Sequence, residues 1–253
     1  LKVCLFLRTN KGVELTEAGR SLYQQSQHMF QNFRMMVDSV RDVDAGVRGL
    51  LKVGVVYSNT PVVLNYLKAY HKEYPQVELY IRVGAPGDLL DDLNKGNLHV
   101  LFLRTPTEGS SDFHEKILGE DPLELVMCPE LDPAPDQDSI PIELLKDVPM
   151  CLLRSDDLWG YSSHLINECQ RKGFTPYTVC QCYDTPMTMQ LVQAGFGISY
   201  LPRSIVETHP GSNIYSKPLV GLPAKSYPTL LWSSNIYYAN CVKRFISMFG
   251  YPT

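Results

Sequence analysis

The first 45 residues show two patterns of apolar positions. Two short apolar runs, residues 5–7 and 13–15, flank a polar segment that ends at Gly12, a residue that tolerates the positive φ of a turn. They predict a β-hairpin. The predicted tip carries two cations and a hydroxyl, on Arg8, Lys11 and Thr9. Such a tip can contact the phosphodiester backbone of DNA, although a basic hairpin is more often only a solvated turn.

A long amphipathic helix is predicted directly after the hairpin. Thr16 is a suitable N-cap and no proline occurs before Pro61, so the helix is expected to run from Glu17 to about Ala45, a length of about 45 Å. Apolar residues recur along it at heptad spacing, at Leu22, Met29, Phe33, Met36, Val40 and Val43. This stripe predicts dimerisation through a partner helix. The alternative is that the stripe packs on the body of the same chain.

From residue 49 onward, short apolar runs alternate with helical segments. Strands are predicted at 50–56, 77–83, 98–103, 123–127, 150–153, 177–182 and 227–232, and helices at 60–74, 88–95, 161–172, 186–194 and 237–249. The first five of these elements along the chain form a βαβαβ unit, which predicts a parallel sheet flanked by helices. The later elements predict a second α/β lobe, joined to the first by two crossovers that leave a cleft between the lobes.

Four segments of the sequence resemble one protein family. Residues 5–19, LFLRTNKGVELTEAG, resemble the wing and the start of the linker helix in LysR-type bacterial transcriptional regulators. The effector-binding domain of that family is similar to LKVGVVYS (51–58), LLDDLNKGNLHVLFL (89–103) and MTMQLVQAGFGISYLP (187–202). One departure is His99, where the family usually has Asp, and it is expected to change only a local hydrogen bond.

The resemblance implies an α/β fold class with a two-lobed, periplasmic-binding-protein-like effector domain, preceded by a dimerising linker helix and the wing of a winged helix-turn-helix. The expected domains are the wing (1–15), the linker helix (16–48), lobe I (49–122 with 226–253) and lobe II (123–225). The recognition helix of the family would precede residue 1. The implied function is a DNA-binding regulator that works as a homodimer or homotetramer on promoter DNA.

Effector-binding residues are expected where strands end and helices begin, because ligands of open α/β sheets bind beyond the carboxyl ends of the strands. Ser58, Asn59 and Thr60 form the first such turn, and they suit a carboxylate unless they serve only as helix caps. The other candidates at strand ends and helix starts, with aromatic residues for an apolar wall, are Gly84, Ala85, Leu103, Arg104, Thr105, Trp159, Tyr161, Ser162, Thr185 and Phe196.

Arg104 and Arg154 are the cations closest to these strand ends. If either faces the cleft, an anionic effector is favoured, and an organic acid is the expected ligand. If both point to solvent or pair with Asp156 or Asp184, the ligand is neutral.

Composition narrows the function classes. The net charge of −4 argues against a chain that coats nucleic acid with its whole surface, so cationic contacts must be local. No signal peptide or membrane span is expected, which favours the cytoplasm and no membrane partner. The seven cysteines lack the spacing of a metal site and are interpreted as reduced thiols, with a redox role given little weight.

Two other classes share the predicted two-lobed fold. No nucleophile elbow, Walker loop, dinucleotide fingerprint or HExxH motif occurs in the sequence, so an enzyme is not expected, and neither is a cofactor. An extracytoplasmic solute-binding protein remains an alternative, as does a two-lobed enzyme, but the hairpin and the long helix argue against both. A regulator of this type is expected to be oligomeric, whereas a solute-binding protein is expected to be monomeric.

Overall fold

The computed structural model describes residues 3–9, 12–45, 48–105, 112–153, 161–209, 213–222 and 224–251. Four residues discussed above lie outside these ranges, namely Lys11, Arg154, Asp156 and Trp159. The side chains of Thr9, Val43 and Thr105 are outside the described set as well.

The predicted hairpin is present and leads directly into a long helix. Strands β1 (Phe6–Thr9) and β2 (Gly12–Leu15) pair in antiparallel register. Helix α1 (Glu17–Ala45) has the predicted bounds, and Thr16 caps it by accepting a hydrogen bond at Oγ1 from the Gly19 amide at 2.9 Å.

Lobe I contains the predicted βαβαβ unit. Its elements are β3 (Gly49–Val55), α2 (Thr60–Glu73), β4 (Val77–Val83), α3 (Pro86–Asn94), β5 (Val100–Thr105) and β6 (Phe113–Ile117), with a 3₁₀ turn at Tyr57–Asn59. Strand β3 pairs in parallel with both β4 and β5. Each strand runs towards the same edge of the sheet, so the turns that follow β3 and β5 meet there.

Lobe II begins at β7 (Asp121–Met127). The elements that follow are β8 (Ile140–Pro141), β9 (Met150–Leu153), α4 (Tyr161–Arg171), β10 (Thr178–Cys182), α5 (Thr185–Gln193), β11 (Ser199–Pro202), α6 (Arg203–Glu207) and β12 (Tyr215–Val220). The chain then returns through β13 (Lys225–Ser233) to α7 (Asn240–Ser247). Sequence reasoning did not identify β8, β11, α6 or β12.

The two crossovers lie side by side between the lobes. Strand β13 runs antiparallel to β5, with Pro228 opposite Arg104, and its first residues pair with the first residues of β7, Ser226 opposite Asp121. The start of β7 and the start of β13 are therefore brought beside the end of β5. This arrangement places the beginnings of two strands, and not only strand ends, at the junction of the lobes.

Strands of both lobes join in one nine-stranded sheet through β13 and β7, while β9 and β10 pair separately. Each lobe has an apolar core on both faces of its strands. In lobe I, α2 and α7 cover one face, where Tyr70 and Phe102 pack with Phe245, and α3 covers the other. In lobe II, α4 packs on one face and α5 with α6 on the other. The helices that carry the predicted effector turns are thus fixed by buried packing.

Candidate functional site

The turn after β3 lies at the junction of the lobes, against α5 of lobe II. Ser58 and Asn59 in this turn are buried, whereas Thr60 is partly exposed. Asn59 donates from Nδ2 to the Leu103 carbonyl at 2.7 Å, which joins this turn to the end of β5. Its Oδ1 atom is buried and has no hydrogen-bond partner among the described residues.

The side chains of this turn do not cap α2, although the backbone N–H of Thr60, its first residue, donates to the Tyr57 carbonyl. Asn59 is the N-cap residue, but its side chain makes no hydrogen bond to the helix, and the second helical position is Pro61, which has no N–H. A helix N-terminus without a side-chain cap presents partial positive charge and free donors to an anion.

Arg104 is buried in a polar cluster at the crossovers. Its guanidinium forms an ion pair with Asp121, with 2.7 Å between Nη2 and Oδ2, and both side chains are less than a tenth exposed. Nε and Nη2 both donate to the Ser58 carbonyl, at 3.1 and 2.6 Å. Two serine hydroxyls accept the remaining bonds, Ser226 from Nη1 at 2.7 Å and Ser204 from Nη2 at 3.1 Å.

Two of these partners also bind Asp121 directly. Ser204 donates to the carboxylate through its backbone N–H and its hydroxyl, and the Ser226 hydroxyl donates to the Asp121 carbonyl at 3.0 Å. The partner of Arg104 is therefore Asp121, whereas sequence reasoning considered Asp156 and Asp184. Every nitrogen of the guanidinium already has a protein acceptor.

Tyr161, at the start of α4, reaches the same cluster from lobe II. Burial raises the pKa of Tyr161 to about 12, opposed by the charge of Arg104 and by hydrogen bonds with Ser58 and Ser226. The phenol thus stays protonated at neutral pH and connects lobe II to the turn after β3. Ser58, Arg104 and Tyr161 are three predicted effector residues that the structure brings together.

Lobe II brings its own turn to the junction, at the start of α5. Asp184 caps this helix by accepting from the Met187 amide at 2.7 Å, and the Thr188 hydroxyl donates to the Asp184 carbonyl at 2.8 Å. Thr185 is buried beside them. Ser162, in α4, donates to the Leu153 carbonyl at 2.6 Å and so ties α4 to β9.

The remaining predicted residues are more widely placed. Gly84 and Ala85 lie between β4 and α3, where Ala85 is the N-cap residue, and Thr105 ends β5. Phe196 is 57% exposed and follows the C-terminal end of α5, the opposite end from Thr185. Phe196 is therefore placed away from the start of α5, and the apolar wall expected from the aromatic residues Trp159, Tyr161 and Phe196 stays a prediction.

Asp121, Ser204 and Ser226 were not identified from the sequence. Sequence reasoning searched the carboxyl ends of strands, whereas Asp121 and Ser226 lie at strand starts and Ser204 in a helix of five residues. One signal was available, because Asp121 immediately precedes an apolar strand and a carboxylate in that position requires a partner when it is buried.

Neither of two cavities on the described surface is lined by a predicted effector residue. A cavity of about 450 Å³ lies beside β4 and is lined by residues such as His71 and Leu79. One of about 290 Å³ lies next to the crossovers, where Asp121, Ser204 and Arg203 contribute to it. The turn after β3 is closed over in this structure, because Ser58 and Asn59 are buried.

Three cysteines lie close together in lobe II. Cys180 pairs with Cys151 of β9 in register, and Cys182 lies on the same face of β10. Burial raises the pKa of Cys151 and of Cys182, so few thiolates form at neutral pH. No group of three or more His, Cys, Asp or Glu side chains within the described ranges is arranged to hold a metal ion.

The apolar stripe of α1 is exposed. Leu22 is 41% exposed and Val40 is 68% exposed, and the stripe residues between them are Met29, Phe33 and Met36, all more than half exposed. A different face of α1 lies beside the body of the chain, where the Gln31 side chain is close enough to Gly96 that an added Cβ would contact it. None of the helices within the described ranges is long and apolar enough to cross a membrane.

A two-lobed α/β domain joined by two crossovers, with the turn after β3 against α5 and with a β-hairpin and a long helix ahead of it, defines a class of ligand-responsive proteins. Residues 44–250 match the family model described as the LysR substrate binding domain. The chain belongs to the LysR family of transcriptional regulators.

Similar proteins agree with this assignment. The HTH-type transcriptional regulator BsdA of Bacillus subtilis (strain 168) is 26% identical over 250 residues, which cover 98% of this chain and 86% of BsdA. Full-length CbnR in complex with its target DNA has a TM-score of 0.69 at 18% identity, over 98% of this chain and 84% of that one. The effector-binding domain of QuiR with shikimate has a TM-score of 0.66 at 17% identity, over 80% and 95%.

These comparisons confirm the family, the fold class and the expectation that the chain is not an enzyme, because the relatives are named as transcriptional regulators.

Proposed function

We propose that the two-lobed domain binds a small organic acid where the turn after β3 meets lobe II, and that binding controls how the regulator binds or activates a promoter. The carboxylate of the effector binds at the positive end of α2, and it accepts hydrogen bonds from the hydroxyls of Ser58 and Thr60. The observation that carries the proposal is the uncapped N-terminus of α2, whose N-cap residue Asn59 uses its side chain elsewhere.

Arg104 cannot supply the attraction for this anionic effector. That guanidinium is neutralised by Asp121 and has acceptors for all its nitrogens, so the helix N-terminus supplies the attraction for the anion. Entry of the ligand requires the lobes to separate at Ser58, because Tyr161 of lobe II bonds to it. An effector that replaces Tyr161 at Ser58 binds the open and closed forms differently, which is the requirement for a conformational response.

A thermal shift screen tests the binding site. Benzoate, succinate and shikimate are suitable probes, and a ligand at about 100 times its Kd stabilises the fold by about 2.7 kcal/mol, which raises Tm by several degrees. The Thr60→Ala variant is expected to bind such a probe about tenfold more weakly, because it loses a hydrogen bond to a charged group. Ser247→Ala is the matched control, since this hydroxyl bonds the Arg244 carbonyl in α7. Binding that is unchanged in Thr60→Ala and Ser58→Ala would place the site elsewhere.

The exposed stripe on α1 supports dimerisation through the residues predicted for it, Leu22, Met29, Phe33, Met36, Val40 and Val43. We infer a homodimer or homotetramer in solution, joined along this helix. Phe33→Glu puts a charge in the centre of the stripe and is expected to shift the mass measured by light scattering to that of one chain. Lys68→Glu on α2 is the control, and an unchanged mass in Phe33→Glu would contradict the proposal.

Promoter DNA is the second proposed partner. Arg8 and Thr9 at the end of β1, and Lys11 in the predicted tip, are proposed to contact its phosphates, and the exposed side chain of Arg8 supports this. A partner of this kind also implies that the protein works in the cytoplasm, where bacterial promoters lie. Salt weakens such contacts, so binding is expected to fall steeply as ionic strength rises.

A further inference from the structure

Arg104 occupies an unusual position, because its guanidinium joins both lobes and both crossovers. It extends from the end of β5 in lobe I and holds the Ser58 carbonyl of the neighbouring turn. The same group binds the start of β7 through Asp121, the start of β13 through Ser226 and α6 of lobe II through Ser204. Five chain segments that are far apart in sequence therefore meet at one side chain.

The planar fork of arginine is essential to this arrangement. Three nitrogens reach acceptors in different directions, and a lysine ammonium in the same place is a single point donor that cannot reproduce the fork. The cluster is also self-contained, because Ser204 and Ser226 donate to Asp121 while they accept from Arg104. Loss of one acceptor from a charged group buried in this way costs free energy, because the charge is left without that hydrogen bond. The five segments are therefore expected to move together.

We propose that Arg104 is a positioning residue that locks the turn after β3 to lobe II across both crossovers, so that the shape of this turn and the angle between the lobes are set by one hydrogen-bonded unit. An effector that moves Ser58 therefore also displaces the Arg104 guanidinium, and with it the contacts to β7, β13 and α6. The inference rests on the proposed function only in treating residues 58–60 as the effector turn.

A second buried ion pair provides a matched comparison. Lys217 pairs with Asp132 at 2.5 Å, and its ammonium also donates to the Ala134 carbonyl at 2.8 Å. Both of its side chains are mostly buried, as in the Arg104 pair, but every partner belongs to lobe II. Loss of this pair is expected to destabilise lobe II and to leave the contacts at the junction of the lobes unchanged.

Hydrogen exchange measured by mass spectrometry on the ligand-free chain separates the two cases. In Arg104→Lys and Arg104→Met, exchange of segments 56–60 and 121–123 is expected to rise at least tenfold, while exchange of residues 215–220 changes less than twofold. Lys217→Met is expected to give the reverse pattern. Because Arg104→Lys keeps the charge, a rise in that variant assigns the effect to the fork and not to the charge alone.

Two results would contradict the proposal that Arg104 holds the turn after β3 to lobe II. One is unchanged exchange at 56–60 in folded Arg104 variants, and the other is an equal rise there in Lys217→Met, which would indicate a general loss of stability. Ser226→Ala removes one acceptor and keeps the ion pair, and about a threefold rise in the same segments is expected. This milder variant decides the matter if both Arg104 variants fail to fold. Since no ligand is present, a failed effector screen leaves this result unaffected.

Discussion

Lobe I and lobe II each bring a helix N-terminus to their junction, and they satisfy it in different ways. In lobe II, Asp184 caps α5 with its own side chain, and Thr188 bonds back to the same residue. In lobe I, Asn59 precedes α2 but turns its amide towards the Leu103 carbonyl, so the helix has no side-chain cap. The start of α5 therefore has a side-chain cap from its own lobe, whereas the start of α2 has none and can be capped by another molecule.

The same contrast holds for the buried charges of the two lobes. Lobe II pairs Asp132 with Lys217 among its own strands, and hydrogen bonds from Lys217 and Tyr215 outweigh burial and hold the pKa of Asp132 below its usual value. Lobe I has Arg104, whose carboxylate partner Asp121 lies on the crossover. Lobe I therefore depends on contacts beyond itself, which suits the half of a sensor that responds to a ligand.

The largest expected effect is a loss of stability at low pH, which originates in lobe I. Burial, and secondly the charge of Lys52, lowers the pKa of His99 to about 4 from its ordinary value of 6.5. The neutral ring accepts a hydrogen bond at Nδ1 from the Lys52 amide at 3.1 Å, which protonation would break. The stability that neutral His99 contributes is thus complete above pH 6.5 and is lost as the pH falls from 6.5 to about 4, by about 3 kcal/mol.

Urea unfolding at pH 7 and pH 4.5 measures this loss, with His99→Asn as the matched variant. An asparagine keeps an acceptor near the Lys52 amide but does not titrate, so its stability should depend less on pH in this window. Lobe II is expected to resist acid further, because the stability that ionised Asp132 contributes is lost only below its ordinary pKa of 3.8. An equal slope in the wild type and in His99→Asn would show that His99 is not the acid-sensitive group.

Sequence reasoning was most successful where the signal is local. The heptad stripe and Thr16 predicted α1 with its bounds, and the alternation after residue 49 predicted the strands and helices of lobe I except β6. In lobe II it missed β8, β11, α6 and β12, because these elements are two to six residues long and contain or adjoin proline, as at Pro202 and Pro218. Elements of this length have little periodicity to detect.

The site was predicted only in part, for a reason of topology. Ser58, Arg104 and Tyr161 were identified because they follow strands or begin helices. Asp121 and Ser226 lie at the starts of β7 and β13, and they reach the site because β13 runs antiparallel to β5. Strand order and direction are fixed by contacts between distant segments, so this pairing is not contained in any local pattern.

The smaller predicted effect is the loss of stability on removing the polar contacts at each of the two helix starts. Asn59→Ala leaves the buried Leu103 carbonyl without its donor and is expected to lower the free energy of unfolding by about 2 kcal/mol. Asp184→Ala removes an exposed cap from α5 and is expected to cost about 1 kcal/mol, while Asp184→Asn keeps the cap and costs less. Urea unfolding of the three variants gives the order. A larger loss in Asp184→Ala than in Asn59→Ala would mean that lobe II, and not lobe I, depends more on the polar contacts at the junction.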